Sequence, residues 1–233
     1  MKSAVVFLAV CTASLPISAS AGMIIDGDFS SWSFGSYGIN GGTATATRET
    51  TGGSPGARLN ITTDTEFGSN PAEVGYGLAV KNDFVTTNAL AGSSFTLSLD
   101  VLSGPGAFGQ GQGIGLLVEQ GGAIYVRNLG ITGFDSQVTT WFAKSYSSTF
   151  DAGSFQLLSG SGSGPDFSGG VATRFGFSAR NSRSGVLTQY YDNFQLQSSA
   201  FSAVPEPASL AMWGLAGSLG LVLAHRRRRR NAV

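Results

Sequence analysis

Apolar and polar residues alternate with period two through most of the middle of this chain. Ser94–Val101 shows it best: Phe95, Leu97, Leu99 and Val101 fall on one side, and Ser94, Thr96, Ser98 and Asp100 on the other. That is the pattern of a strand half-buried in a sheet. Gly113–Glu119 and Ala123–Leu129 predict a hairpin whose turn, Gln120-Gly121-Gly122, has glycine where positive φ is needed. Thr139–Tyr146, Gly153–Leu158, Thr173–Ala179 and Gln189–Leu196 read as further strands, with Gly42–Thr47, Ala57–Thr62 and Tyr76–Val80 before them. Gly- and Ser-rich clusters at 52–56, 104–113 and 159–170 separate them as surface loops. No stretch of helical period and no fixed repeat interrupts the series. Roughly ten short strands at this spacing predict an all-β fold, a jelly-roll-like β-sandwich.

Composition narrows the chemistry. Only 12% of residues are charged and 34 of 233 are Gly, a balance that suits an extracellular β-rich domain better than a cytosolic helical enzyme. The net charge of zero hides a sorting of charge along the chain. Five of the 14 basic residues are Arg226–Arg230, whereas residues 22–203 carry 13 acids against eight bases. A body of that sign repels polyanions, so no nucleic-acid partner is expected. The single cysteine, Cys11, and the single histidine, His225, both lie near the ends. Disulfides, thiol nucleophiles, Ser-His-Asp triads and multi-His zinc sites are thereby excluded from the body. The glycine run Gly109-Gln110-Gly111-Gln112-Gly113 is not followed by Lys-Ser/Thr or by a helix, and so does not read as a phosphate loop.

The two ends read as targeting segments. Lys2, an apolar run from Ala4 to Val10 and the small residues Ala19-Ser20-Ala21 describe a secretory signal peptide over 1–21, removed before Gly22. Leu8-Ala9-Val10-Cys11 offers a lipoprotein reading, but Val before the cysteine suits it poorly. At the other end a linker, 201–207, carries Val204-Pro205-Glu206-Pro207. It leads into an apolar segment, 208–225, long enough to span a bilayer as a helix at the short limit. The basic tail 226–233 would stay on the cytoplasmic side. Residues 22–200 remain as one β-sandwich domain.

A Pro-Glu-Pro motif, an apolar span and an arginine block in that order closely resemble the PEP-CTERM sorting signal of Gram-negative-type bacteria that make exopolysaccharide. The resemblance covers about residues 204–230. It implies recognition of Val204, Pro205, Glu206 and Pro207 by an exosortase, a membrane-embedded transpeptidase-like enzyme. It also implies a protein held briefly in the inner membrane and then passed to the cell surface or matrix.

Two further stretches resemble jelly rolls of the carbohydrate-binding-module type. They are Ile25-Asp26-Gly27-Asp28-Phe29-Ser30-Ser31-Trp32 and Tyr190-Tyr191-Asp192-Asn193-Phe194-Gln195-Leu196. In such folds the first and last strands run together, and an Asp of the closing strand joins N-terminal groups around a structural calcium. Calcium takes six to eight oxygens, and Asp26, Asp28 and Asp192 are the candidate carboxylates; the other reading makes them turn and solvated strand residues. Sugar binding would need exposed aromatic faces, for which Trp32, Trp141 and Tyr190 are the candidates among Tyr37, Tyr146 and Tyr191. The competing role for each is core packing.

The expected function is that of a non-catalytic surface or polysaccharide-matrix protein with weak glycan binding. One alternative is a carbohydrate-active enzyme of glycosidase type using a carboxylate pair, for which Glu66, Glu73, Asp83 and Glu119 are available without a motif to mark them. The other is a purely structural adhesin.

Overall fold

The computed structural model describes residues 22–66, 72–104, 112–133, 139–181 and 185–201. The expected leader, the Pro-Glu-Pro motif, the apolar segment and the arginine tail lie outside these residues. Twelve strands are described: β1 (Gly22–Asp26), β2 (Trp32–Ile39), β3 (Thr43–Gly53), β4 (Gly56–Thr65), β5 (Val74–Thr86) and β6 (Ser94–Ser103) come first. They are followed by β7 (Gly113–Gln120), β8 (Ala123–Ile131), β9 (Phe142–Thr149), β10 (Gln156–Ser159), β11 (Thr173–Asn181) and β12 (Gly185–Ser198). No helix among the described residues is long and apolar enough to cross a membrane.

Two antiparallel six-stranded sheets form the sandwich. Sheet A runs β3-β4-β12-β6-β9, with β1 also paired to β12, and sheet B runs β10-β8-β7-β11-β5-β2. The chain changes layer repeatedly: β1 in A, β2 in B, β3 and β4 in A, β5 in B, β6 in A, β7 and β8 in B. No sheet could therefore form from sequence neighbours alone, and each brings together strands far apart in the chain.

The 14-residue β12 is the spine of sheet A. On one side β4 pairs with its first half, Gly185–Tyr191, and β1 with its second, Phe194–Ser198; β6 runs along the other side. A bulge separates the halves: the pairing with β6 shifts between Asp192 and Gln195, and Asn193 has φ 48°. Leu187, Gln189 and Tyr191 point inward before it, and Phe194, Leu196 and Ser198 after it. The extra residue lets both Tyr191 and Phe194 enter the core.

The expected strands are all present in part, with two corrections. Thr139–Tyr146 begins later and runs on, as β9. In Gly153–Leu158, Asp151 caps a 3-10 turn at Ala152–Ser154 by accepting from the Gly153 N–H at 3.2 Å, and β10 starts only at Gln156. The turn arises because a short acceptor two residues back satisfies the amide more locally than a ladder partner can. Two strands, β1 and β2, were not anticipated. The serines and glycines of Trp32-Ser33-Phe34-Gly35-Ser36-Tyr37-Gly38 give little strand propensity, and β5 supplies β2 with its partner bonds.

The core is an aromatic layer. Phe177 of β11 sits 6.2 Å from Trp32, 5.2 Å from Tyr191 and 6.0 Å from Phe194, ring centre to ring centre. A second knot surrounds Phe150, with Phe95 at 4.8 Å, Phe167 at 5.3 Å and Phe175 at 5.7 Å. Such rings bury large apolar areas and add edge-to-face attraction. Phe150→Ala should lower unfolding free energy by about 3–5 kcal/mol in urea titration. A loss under about 1 kcal/mol would show that the knot refills the space.

Candidate functional site

The turn from β1 into β2 is built on Asp26. Its Oδ1 accepts from the N–H of Asp28 at 2.9 Å and of Phe29 at 2.8 Å, which drives Phe29 into the core at φ 55°. Its Oδ2 accepts from Lys81 Nζ, which also reaches Asp83 Oδ1 at 2.8 Å. The side chains of Lys81 and Asp26 are only 9% and 11% exposed. Burial alone would raise the Asp26 pKa, but the Lys81 bond and the two backbone N–H groups outweigh it and hold the carboxyl below 3.8. Burial likewise opposes charge on Lys81, and its two carboxylates hold it above 10.5.

The three aspartates expected to hold calcium each have another partner. Asp26 faces the Lys81 ammonium, Asp28 pairs with the Arg48 guanidinium, and Asp192 accepts from the backbone N–H of Ser54 and, at 2.7 Å, of Asn193. Among the described residues no three His, Cys, Asp or Glu side chains gather as metal ligands do. The residues present do not fit calcium, because a fixed ammonium already supplies the positive charge where Asp26 would have offered an oxygen. Asp192 is wholly buried, and burial, with Asp100 across the strand pair, lifts its pKa above 3.8.

The three aromatic candidates separate. Trp32 is 6% exposed, wedged edge-on against Phe29 at 5.2 Å and Phe194 at 4.9 Å, and belongs to the core. It is removed from the ligand candidates because period two turns the first residue of β2 inward. Tyr190 is half-buried and, next to the inward Tyr191, lies on the outer face of sheet A; Trp141 is half-buried just before β9. Tyr190 stands opposite Asn60 on one side and Leu102 on the other. Trp141 immediately precedes β9, whose last recorded pair is Phe142 with Val101. The row Asn60–Tyr190–Leu102 crosses the sheet, and Trp141 stands one residue beyond the last pair of the neighbouring strand.

Around this row the face carries paired polar groups. The Arg58 guanidinium lies 3.6 Å over the Tyr190 ring and is held there by Glu49, which also accepts from Asn60 Nδ2 at 2.8 Å. Hydroxyl pairs continue it: Thr62 with Thr188 at 2.8 Å, Thr96 with Ser147 at 3.0 Å and Ser98 with Ser145 at 2.9 Å. Arg58, Asn60 and Glu49 were not singled out from sequence. Their grouping depends on the pairing of β3, β4 and β12, which spans more than a hundred residues; the local alternation gives only their outward direction.

Of the acids available to the enzymatic alternative, Asp83 is tied to Lys81 and Glu119 to Arg174, while Glu73 accepts from the Glu66 N–H at 2.8 Å.

No family model matches the chain, and no curated protein matches it. Among solved structures it is similar to the family 11 carbohydrate-binding module of the cellulosomal cellulase Lic26A-Cel5E of Clostridium thermocellum. Identity is 16%, over 76% of this chain and 95% of that one, with a TM-score of 0.44. A structure of a family 11 module from the same organism, with a β-1,3-1,4-mixed-linked tetrasaccharide, gives 19% identity over 80% and 99%, TM-score 0.43. The CBM22-1 xylan-binding domain of Paenibacillus barcinonensis Xyn10C gives 11% over 79% and 99%, TM-score 0.42. At TM-scores of this size the function must rest on the residues of this chain.

Lys81→Met should cost about 3 kcal/mol at pH 7, because it strands a buried carboxylate without its cation. The lowered Asp26 pKa makes the pair's contribution complete above pH 3.8 and lost as pH falls through the folded value. Urea titrations should therefore show the gap between wild type and variant closing in acid. A gap unchanged at low pH would assign the loss to packing.

Proposed function

We propose that this is an exported, non-catalytic surface or matrix protein that holds polysaccharide weakly on the outer face of sheet A and is sorted through its C-terminal tail. The observation that carries the binding half is the cross-sheet row of Asn60, Tyr190 and Leu102, with Arg58 stacked on Tyr190 and Trp141 just ahead of the next strand. The strands that carry Tyr190 and follow Trp141, β12 and β9, lie two spacings apart, about 10 Å, close to the length of a disaccharide. Sugar rings offer C–H faces to an aromatic or guanidinium plane and hydroxyls to neighbouring amides and carboxylates; Arg58, Asn60 and Glu49 provide such groups. Low affinity follows from the same geometry. Most of the polar groups on this face already have partners that a sugar must match.

Binding can be read as retardation of the protein in gels containing soluble polysaccharides. Tyr190→Ala and Trp141→Ala should each weaken retardation about tenfold, the loss of one stacking contact of ~1.4 kcal/mol. A variant of Tyr37, on the other sheet, should leave it unchanged. Wild-type protein retarded by no polysaccharide would favour the structural adhesin, and sugar release would favour the enzyme.

The sorting half rests on Val204-Pro205-Glu206-Pro207, the apolar segment and Arg226–Arg230. The partner is an exosortase-type enzyme in the inner membrane. Glu206→Ala should leave unprocessed protein in the inner-membrane fraction of the native host. Normal processing of that variant would remove the assignment.

A further inference from the structure

The outer side of sheet B carries a second apolar cluster, Tyr76, Leu78, Val80, Leu117, Val126 and Leu158, and all six are buried. The exposed apolar side chains lie elsewhere. Among the described residues Val85, Ile131, Val171 and Val186 stand singly, but Met23 and Ile25 share one face of β1, at 50% and 56% exposure. They lie opposite Gln197 and Gln195 of β12, the only strand with which β1 pairs. The other edge of β1 has no ladder partner among the described residues. Sheet B does not close this flank. β2 pairs with β5 only as far as Lys81, and Val85 beyond it is exposed.

A strand edge with free N–H and C=O groups is a template for another chain, and proteins blunt such edges. The other edges here are blunted. On β3, Arg48 is drawn back to Asp28 and the pairing bulges between Glu49 and Gly53. β9 carries Lys144 opposite the buried Leu99, a charge turned inward at the edge. β10 is four residues long with a register shift, and β2 lies against β3. β1 has no proline, no bulge and no charge except Asp26, which Lys81 holds.

We infer that β1 is an interaction edge and that its partner is β1 of a second copy of this chain. The strand is self-complementary. Antiparallel pairing about Ile24 sets Met23 opposite the partner's Ile25, Ile24 opposite the partner's Ile24, and Gly22 opposite the partner's Asp26. This register alone pairs all five residues, and it keeps outward side chains against outward ones. No like charges meet, because the one charged residue of each strand faces a glycine. Met23 and Ile25, half-exposed in the single molecule, cover each other across the pair. The two-fold axis stands perpendicular to the sheet, so the outer faces of both copies of sheet A point the same way. A five-residue edge buries less than the about 1,200 Å² of a standard interface, so the copies exchange rapidly. On the reading proposed above, one polysaccharide chain would then meet two such faces at once, and the weak hold of each is reinforced by the nearness of the other. The pairing itself needs no sugar.

The chain from Gly22 onward has no cysteine, so an introduced thiol reports on this contact alone. The test mixes full-length chains from Gly22 carrying Met23→Cys with chains carrying Ile25→Cys and a tag of different size, in detergent micelles with a mild oxidant. Opposed residues of an antiparallel pair have Cα atoms about 4.5–5.5 Å apart, within the reach of a disulfide. The two copies of position 23 are offset by two residues, about 7 Å along the strands, as well as by a strand spacing across them, which is out of reach. The mixed disulfide should exceed each self-linked product by about fivefold or more. Val186→Cys, exposed on another strand, should link only at background. Equal yields from all combinations would mean random collision, an excess of self-linked Met23→Cys another register, and no disulfide an unpaired edge. Each of these overturns the inference, and none bears on retardation by polysaccharide or on Glu206 processing.

Discussion

Burial of aromatic surface between the two sheets is the contribution on which everything else in this domain depends. The body has no cysteine to cross-link it and, among the described residues, no gathered set of metal ligands. Conformational entropy must then be offset chiefly by apolar burial. The two aromatic knots, around Phe177 and Phe150, sit at different levels of the sandwich and draw on strands from both sheets. Because β12 supplies Tyr191 and Phe194 and β11 supplies Phe175 and Phe177, strands that pair in different sheets are joined through their side chains. The polar outer face of sheet A can be hydroxyl-rich because stability is provided from behind it.

Electrostatics plays a local part. The Asp26–Lys81–Asp83 cluster fixes the turn through which β1 in one sheet becomes β2 in the other. An ammonium on a flexible stem gives that turn charge balance without any dependence on metal supply. The cost is sensitivity to loss of a single partner, since both charges are largely removed from solvent.

Much of this architecture could be read in advance from alternation alone. Phe95, Leu97, Leu99 and Val101 point inward as their period requires, and the Gly121-Gly122 turn links β7 to β8. What failed to show was whatever depends on long-range pairing. Ile25–Trp32 suggested carboxylates for calcium, but Lys81, which answers Asp26, lies 55 residues away. Trp32 and Tyr190 were equal candidates as aromatic residues; the face each takes on its strand decides that one is core and the other surface. The outer cluster on sheet B was invisible because Tyr76–Val80 reads simply as a continuous buried strand. Such a run does not say that its two faces belong to different clusters.

The bulge at Asp192–Asn193 has a consequence for how β12 can change over time. A strand is read by its neighbours in steps of two, so one extra residue swaps the in and out assignments of everything downstream. Asn193 is such an insertion, already absorbed: Phe194, Leu196 and Ser198 are in phase only because of it. Losing one residue at Asp192–Asn193 would remove the bulge and restore plain alternation, with Tyr191 and Phe194 both still inward; gaining another there would act like a frameshift, turning the aromatic end of the strand toward solvent and Gln195 and Gln197 toward the core. Elsewhere in β12, where no spare residue is held, only paired gains or losses keep the phase.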